Sequence, residues 1–294
     1  SEMCIRDSYY TRTNKPEDAS GKGSLNGEEE YQFSARAMVD RYQKQHFKLS
    51  WIVPNYDVQE INEEAMASFS EYAAIHDVSA GLWSQNNTPK ASPDTTFIQT
   101  DTTDPKVLKN DALILRNNLK RKRPLIFSNT GIAGSQNRTM LAFDDIGGNW
   151  ENIPTQVAGF LGASLSGQPL VGSAVDGTAG GGNAQIAIRD FEWKAFTPIL
   201  FNLDDQGKFS KTPFAYNSKM TQINRAYLKL REQLQTYLYT LIYRAQVGEP
   251  ILRPLFLEFP HEQVNYTPQV GHEFMLGPNS VSYTHLTLPT ILLV

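Results

Sequence analysis

Three aspartates in this chain lie at or just after short apolar runs that have the length of buried β-strands. Asp101 directly follows residues 96–100, Asp145 stands beside a second carboxylate, and Asp176 comes shortly after residues 169–173. In a parallel β/α barrel the carboxyl ends of the strands share one mouth, so side chains at such positions meet. Two carboxyl groups about 5–5.5 Å apart can transfer a glycosyl group, one attacking the anomeric carbon and the other protonating the leaving oxygen.

The block of residues 128–204 keeps the motif order of a known enzyme family. This block resembles glycoside hydrolase family 31, and most of all its branch of 6-α-glucosyltransferases and cycloalternan-processing enzymes. The resemblance implies a retaining α-glucosidase or transglucosidase that acts by double displacement and needs no metal or organic cofactor. Its motifs are Gly134-Ser135-Gln136, Asp144-Asp145, Gly147-Gly148-Asn149-Trp150-Glu151, Leu165-Ser166-Gly167-Gln168-Pro169, Asp176-Gly177 and the run from Arg189 to Pro198.

The resemblance also assigns the two catalytic roles. Asp101 matches the nucleophile and Asp145 matches the general acid/base, with Asp104 as the fallback nucleophile. The chain departs from the family at Thr102, which begins a Thr-Thr-Asp in place of Val-Ala-Trp, and at Ala142, where the family has tryptophan. A loop or helix-capping role for Asp101 and a turn role for Asp145 are the alternatives.

Seven further residues are candidates for substrate binding. Both tryptophans of this set have core packing as their alternative, and its arginine has a buried ion pair as its alternative. The Asn-x-Asp pair that ends the set is the form that the transglucosidase-like branch carries. The candidates are Trp83, Asp144, Trp150, Asp176, Arg189, Asn202 and Asp204.

Some letters of the site favour a second hypothesis. Ala174 stands where the family has an aspartate, and Asn137 stands where it has an arginine, with Arg138 one position later. Together with Ala142, these changes favour a non-catalytic carbohydrate-binding relative that keeps the fold. Fold alone cannot decide between the two, because function depends on the site.

Strand-like runs alternate with amphipathic helical segments, which is typical of an α/β fold with a parallel sheet. Strands are predicted at 49–53, 78–83, 95–100 and 125–127, and helices at 60–75, 104–119 and 221–247. Asp104 is the expected N-cap of the second helix, with Pro105 at its first position. Gly248 and Pro250 are the expected stop signals of the third.

The chain is shorter than the family pattern requires. A (β/α)8 barrel takes about 250 residues, and the resemblance puts Trp51 past the first strands, so we predict a partial TIM barrel without its N-terminal strands and with an open edge. We assign 31–247 to this barrel and 248–280 to the start of a C-terminal β domain. We expect residues 9–30 to be a loop or disordered lead-in. Residues 1–8 and 281–294 resemble translated sequencing-adapter read-through.

Composition restricts the partners. The net charge of −4 and the absence of basic patches with interleaved aromatics argue against a nucleic-acid surface. The apolar tail is too short and interrupted for a membrane span. The histidines have no metal-ligand spacing, and Cys4 lies in the suspect N-terminal segment. The family resemblance implies as partners an α-glucan or oligosaccharide substrate and the missing N- and C-terminal domains of a parent enzyme.

Overall fold

The computed structural model describes eleven stretches of the chain. They are residues 7–11, 35–53, 63–84, 96–100, 102, 104–118, 125–131, 134–143, 147–177, 182–204 and 211–283.

Eight parallel strands form a closed barrel. Each strand pairs with the next one along the chain, and the first also pairs with the last. The strands are β1 (Asp7–Thr11), β2 (Trp51–Val53), β3 (Ser79–Ser84), β4 (Phe97–Thr100), β5 (Leu125–Ser128), β6 (Thr139–Ala142), β7 (Val171–Ala174) and β8 (Ile199–Asp204).

The predicted α/β barrel is confirmed, but the open edge that we expected does not occur. Asp7–Thr11 closes the ring, because Ser8 lies opposite both Trp51 of β2 and Phe201 of β8. Between β5 and β6 the described residues form only a 3-10 turn, Ser135–Asn137. The proposed domain boundaries and the interpretation of both chain ends remain predictions.

Helices cover the outside of the ring. The helix after β4 starts as predicted, because the Asp104 carboxylate accepts a hydrogen bond from the Lys106 amide at 2.8 Å and Pro105 takes the first position. No helix among the described residues is long and apolar enough to span a membrane. The helices are α1 (Ala35–Lys44), α2 (Glu63–Ile75), α3 (Pro105–Asn118), α4 (Asn152–Leu165), α5 (Ala184–Lys194), α6 (Ser218–Gln233), α7 (Gln235–Ala245) and α8 (Leu255–Glu258).

The prediction of one continuous helix over 221–247 is wrong, because α6 and α7 are separated at Leu234. The two halves pack against different partners. Buried Arg231 of α6 donates hydrogen bonds to the carbonyls of Ala195, Thr197 and Pro198 ahead of β8. Helix α7 instead packs apolar side chains with those of the C-terminal sheet. Apolar periodicity is the same on both sides of the break and therefore does not reveal it.

Aromatic side chains fill the interior of the barrel. The Trp51 ring lies 4.6 Å from Phe97 and 4.8 Å from Phe127, measured between centroids. Alternate strand residues such as Leu82 and Leu200 face outward and pack against α1, α2 and α6. This two-sided burial is what a barrel strand requires, and it leaves the strand ends as the polar part of the ring.

A small antiparallel sheet follows the barrel. It consists of β9 (Leu252–Arg253), β10 (Glu273–Leu276) and β11 (Ser280–Tyr283), in the order β11-β10-β9. Phe274 packs its ring edge-on to Trp193 of α5 at 6.2 Å. The sheet therefore shares a hydrophobic cluster with the barrel helices.

Candidate active site at the carboxyl ends of the strands

The strands that precede the predicted catalytic residues end at one rim of the barrel. Thr100 of β4 is in register with Ser128 of β5, and Ser128 is in register with Leu141 of β6. Asp101, Asp144 and Asp145 themselves lie outside the described residues. Thr100 and Thr102, the neighbours of Asp101, are both buried.

Asp176 joins the loops that follow three successive strands. It lies two residues after β7, in the left-handed region at φ 60°. Its carboxylate accepts a hydrogen bond from the Gly148 amide in the loop after β6, at 3.1 Å. The same carboxylate lies 3.5 Å from the Lys211 ammonium in the segment after β8. Gly147 and Asp190 contact the backbone of Asp176 at the same place. We call these five residues, Asp176, Gly147, Gly148, Asp190 and Lys211, the Asp176 junction.

Gly147 allows the two loops to approach. A Cβ atom at this position would lie 2.2 Å from the carbonyl carbon and oxygen of Asp176, a separation that real Cβ atoms do not show. Only glycine permits such backbone contact. The family-like Gly147-Gly148 pair therefore has a structural reason beside Asp176.

A buried ion pair between Asp190 and Lys194 of α5 holds the backbone on both sides of Val175. The Asp190 carboxylate accepts hydrogen bonds from the Asp176 amide at 2.5 Å and from the Trp193 indole at 2.8 Å. Lys194 lies 2.5 Å from the same carboxylate and also donates to the Ala174 carbonyl at 2.6 Å. The last residue of β7 and its left-handed turn are thus bound to one helix.

Burial dominates the electrostatics of Asp176. Desolvation raises the pKa of its carboxyl above the ordinary value, the Lys211 ammonium opposes this, and the Asp190 carboxylate adds to it. The pKa of Tyr216, in the same segment as Lys211, is raised by desolvation and then by the Asp176 charge. A carboxylate that is both buried and paired with a lysine is typical of a functional site, although structural networks show the same pattern.

Arg189 forms the ion pair that was the alternative to its sugar contact. Its guanidinium lies 2.6 Å from the Glu192 carboxylate one helical turn away, and both side chains are largely buried. Desolvation raises the pKa of Glu192, and Arg189 lowers it. The described contacts of Arg189 are therefore those of a structural pair.

Asn202 lies on the face of β8 that is turned toward the helices. Its neighbours Phe201 and Leu203 belong to the interior cluster of the barrel, and its own amide donates to the Tyr42 hydroxyl of α1 at 3.1 Å. Asp204 is the last residue of β8, and its side chain is outside the described set. The structure thus brings Asp176, but not Asn202, to the junction.

The two candidate tryptophans pack in hydrophobic clusters. Trp83 is buried in the interior cluster of the barrel, which also contains Trp51 and Phe97. Trp150 is half-buried against the cluster that contains Ile153 and Phe160 of α4. Core packing, the alternative stated for both, is the environment that the structure gives them.

The opposite end of the barrel has an open cavity. Its lining includes Leu125, Arg138, Thr139 and Pro169, which lie at or just before the first residues of β5, β6 and β7. In barrels of this kind the amino-terminal face serves stability rather than chemistry. Among the described residues, no three His, Cys, Asp or Glu side chains gather into a group able to hold a metal ion.

Comparison with known proteins identifies the barrel. The profile of the Glycosyl hydrolases family 31 TIM-barrel domain matches residues 107–241. Residues 107–241 are therefore a segment of a family 31 TIM barrel. The match runs from α3 to α7 and includes every residue of the Asp176 junction.

Named alpha-glucosidases have similar sequences over part of their length. Alpha-glucosidase 2 from Bacillus thermoamyloliquefaciens is 32% identical over 162 residues, which is 55% of this chain and 20% of that protein. Lysosomal alpha-glucosidase from Mus musculus is 31% identical over 157 residues, which is 53% of this chain and 16% of that protein. The alignments therefore span a fifth or less of each relative.

A solved family 31 structure has the same fold over nearly the whole chain. The family 31 alpha-glucosidase from Bacteroides thetaiotaomicron superposes with a TM-score of 0.77 at 16% identity. The superposition covers 97% of this chain and 60% of that one. At this identity the likeness establishes the fold of the family 31 barrel.

The sequence analysis did not predict three residues that hold Asp176 in place, namely Asp190, Lys194 and Lys211. Asp190 and Lys194 stand four residues apart on a helix, a spacing that places them on one face. The run from Arg189 to Pro198 contains this spacing, which is the local signal for an ion pair between Asp190 and Lys194. Lys211 had no such signal, because its partner Asp176 is 35 positions away.

Proposed function

We propose that the protein is a retaining glycoside hydrolase or transglucosidase of family 31 that acts on α-linked glucans or oligosaccharides. Asp101 is the nucleophile and Asp145 is the general acid/base. Membership of a family whose named relatives are alpha-glucosidases supports the substrate class. The common rim of β4 and β6 supports the pairing of these two aspartates.

The reaction has two steps. In the first, the Asp101 carboxylate bonds to the anomeric carbon, the glycosidic bond breaks, and the leaving oxygen takes the proton of Asp145. In the second, a water or acceptor hydroxyl gives its proton to Asp145, and its oxygen replaces Asp101 on the anomeric carbon. Asp145 thus recovers the proton that it gave to the leaving oxygen, and the bond between Asp101 and the anomeric carbon is formed and then broken, so no cofactor is needed.

The Asp176 junction is the single observation that carries most weight. It fixes the loop after β6 within three residues of Asp145, and catalysis of this kind needs the acid held in place. The junction therefore favours an active enzyme.

A sugar-binding protein without turnover is the second candidate. Ala174 favours it, because this fully buried residue stands at the end of β7 where the family has an aspartate. Ala142 packs in the barrel interior where the family has a tryptophan. Both substitutions remove groups from the mouth and leave the fold intact.

The deciding experiment compares the wild type with Asp101→Asn and Asp145→Asn on α-1,6- and α-1,3-linked glucooligosaccharides. We expect glucose release or transfer by the wild type and its loss in both variants by at least about a hundredfold. Saturable binding without turnover by the wild type would instead establish the sugar-binding alternative. Unchanged turnover in either variant would overturn the corresponding assignment.

A further inference from the structure

We propose that Asp176 is a positioning residue, which holds the loop bearing Asp145 through the Gly148 amide, and that Lys211 and Asp190 keep it in place. This inference rests on the proposed function, and it differs from the sugar contact that the resemblance assigns to Asp176. Both carboxylate oxygens of Asp176 have a protein partner at the junction.

The contacts of Asp176 leave little freedom for its side chain. Only 2% of the residue is exposed, one oxygen accepts from Gly148, and the other faces Lys211. Its backbone is fixed by Asp190 through a 2.5 Å hydrogen bond. A side chain held at both ends in this way can transmit position from α5 to the loop after β6.

The position of Gly148 matters because of what precedes it. Asp145 is only three residues earlier in the sequence, and a small displacement of a catalytic group costs about a hundredfold in rate. Loss of the bond to Gly148 should therefore misplace the proton donor. The nucleophile Asp101 follows a different strand and is not affected in the same way.

A misplaced proton donor leaves a characteristic kinetic signature. A leaving group that is already a stable anion, such as 4-nitrophenolate, departs without a proton, whereas a sugar alkoxide does not. Asp176→Ala should therefore lower kcat/KM for an oligosaccharide by roughly a hundredfold. The same variant should lower kcat/KM for 4-nitrophenyl α-glucoside far less.

Asp176→Asn is the conservative counterpart. Its side-chain oxygen still accepts a hydrogen bond from Gly148, although the charge that faces Lys211 is lost. We expect it to recover most of the oligosaccharide activity that Asp176→Ala loses. Glu232→Ala, on the exposed side of α6, is the control and should resemble the wild type.

Hydrogen exchange tests the tether independently of activity. By mass spectrometry, the peptide that contains Gly148 should exchange about ten times faster in Asp176→Ala than in the wild type, and nearly as slowly in Asp176→Asn. Equal exchange in all three proteins would overturn the inference. So would an equal fall in kcat/KM for both leaving groups, which is the pattern of a lost sugar contact.

The proposed function and the positioning role of Asp176 would be refuted by different results. If the wild type cleaves neither substrate, the proposed function is refuted, and the exchange data alone decide whether the tether exists. If the wild type cleaves both and the variants show neither a leaving-group difference nor faster exchange, only the positioning role is refuted.

Discussion

The carboxylate of Asp176 and the backbone amide of Gly148 are joined by a 3.1 Å hydrogen bond across 28 positions of sequence. The bond connects the loop after β7 to the loop after β6 at the rim where a barrel enzyme does its chemistry. Because Gly147 lies against the backbone of Asp176 at the same place, we expect a displacement of one loop to displace the other. Changes on either side of this bond should therefore affect both loops.

Gly147→Ala should separate the two loops. The new methyl group would overlap the backbone of Asp176, which cannot move aside as a flexible side chain would. We expect a loss of roughly 1–3 kcal/mol in the free energy of unfolding, as for other overpacked sites. We also expect a large fall in activity on oligosaccharides. Urea titration and initial-rate assays measure the two effects.

Gly162→Ala is the matched control for this substitution. Gly162 lies on the exposed side of α4, and nothing lies within 4 Å of the Cβ it would gain. Alanine in a helix interior should stabilise the protein by about 0.5–1 kcal/mol. If both alanine variants lose stability equally, the close contact at Gly147 is not the cause.

Lys194→Met should be strongly destabilising. It leaves the Asp190 carboxylate buried without its cation, and removal of one partner from a buried pair costs about 3–5 kcal/mol. The double variant Asp190→Asn/Lys194→Met removes both charges and should recover part of that loss. A double-mutant cycle from urea unfolding gives the coupling energy. Additive single losses would show that the pair does not act as a unit.

Elements with local signals were the predictable part of this structure. Asp104 and Pro105 predict the start of α3. Asp104 caps the helix, and the fixed backbone of Pro105 suits its first position, so both preferences act within four residues. The ends of α6 and α7 depended on which distant side chains they meet, and the break at Leu234 left no local trace. Closure of the ring by Asp7–Thr11 was unpredictable for the same reason, since strand pairing with β2 and β8 is a long-range property.

The candidate site likewise contains residues that a local motif predicts and residues whose surroundings depend on long-range packing. The motif resemblance drew attention to Asp176 and to the Gly147-Gly148 pair, which the structure brings together. It did not show that Asn202 and Asp176, both after apolar runs, would have different surroundings. For Asn202, strand alternation decides this, because a shift of one residue turns a side chain from the interior to the helices. Alternation can be applied only once the strand register is known.

Tyr42→Phe tests the environment of Asn202. The substitution removes the hydroxyl that accepts a hydrogen bond from the Asn202 amide and leaves a buried donor without this partner. A loss of about 1–3 kcal/mol in unfolding free energy is expected. Asn202→Ala in the Tyr42→Phe background should then cost less than in the wild type. Equal costs in both backgrounds would mean that the pair contributes no coupling.

The ionisation of Asp176 should make stability depend on pH in a defined direction. Desolvation raises its pKa in the folded protein above the ordinary value, so the folded state holds the proton more tightly than the unfolded state. Stability from this group is therefore lost as the pH rises from the ordinary value through the raised one. Lys211 opposes the shift, while Asp190 adds to it and Lys194 counteracts it.

Lys211→Met removes the charge that most lowers the pKa of Asp176, so this pKa should rise further. The difference in unfolding free energy between the wild type and Lys211→Met should then grow from pH 4 to pH 7, because Lys211 stabilises only the ionised carboxylate of Asp176. Lys229→Met, at an exposed position of α6, is the control and should give the same difference at both values. Urea unfolding at the two pH values measures both differences. If the Lys211 difference does not grow with pH, Lys211 does not stabilise the Asp176 charge, and its contact at 3.5 Å is packing alone.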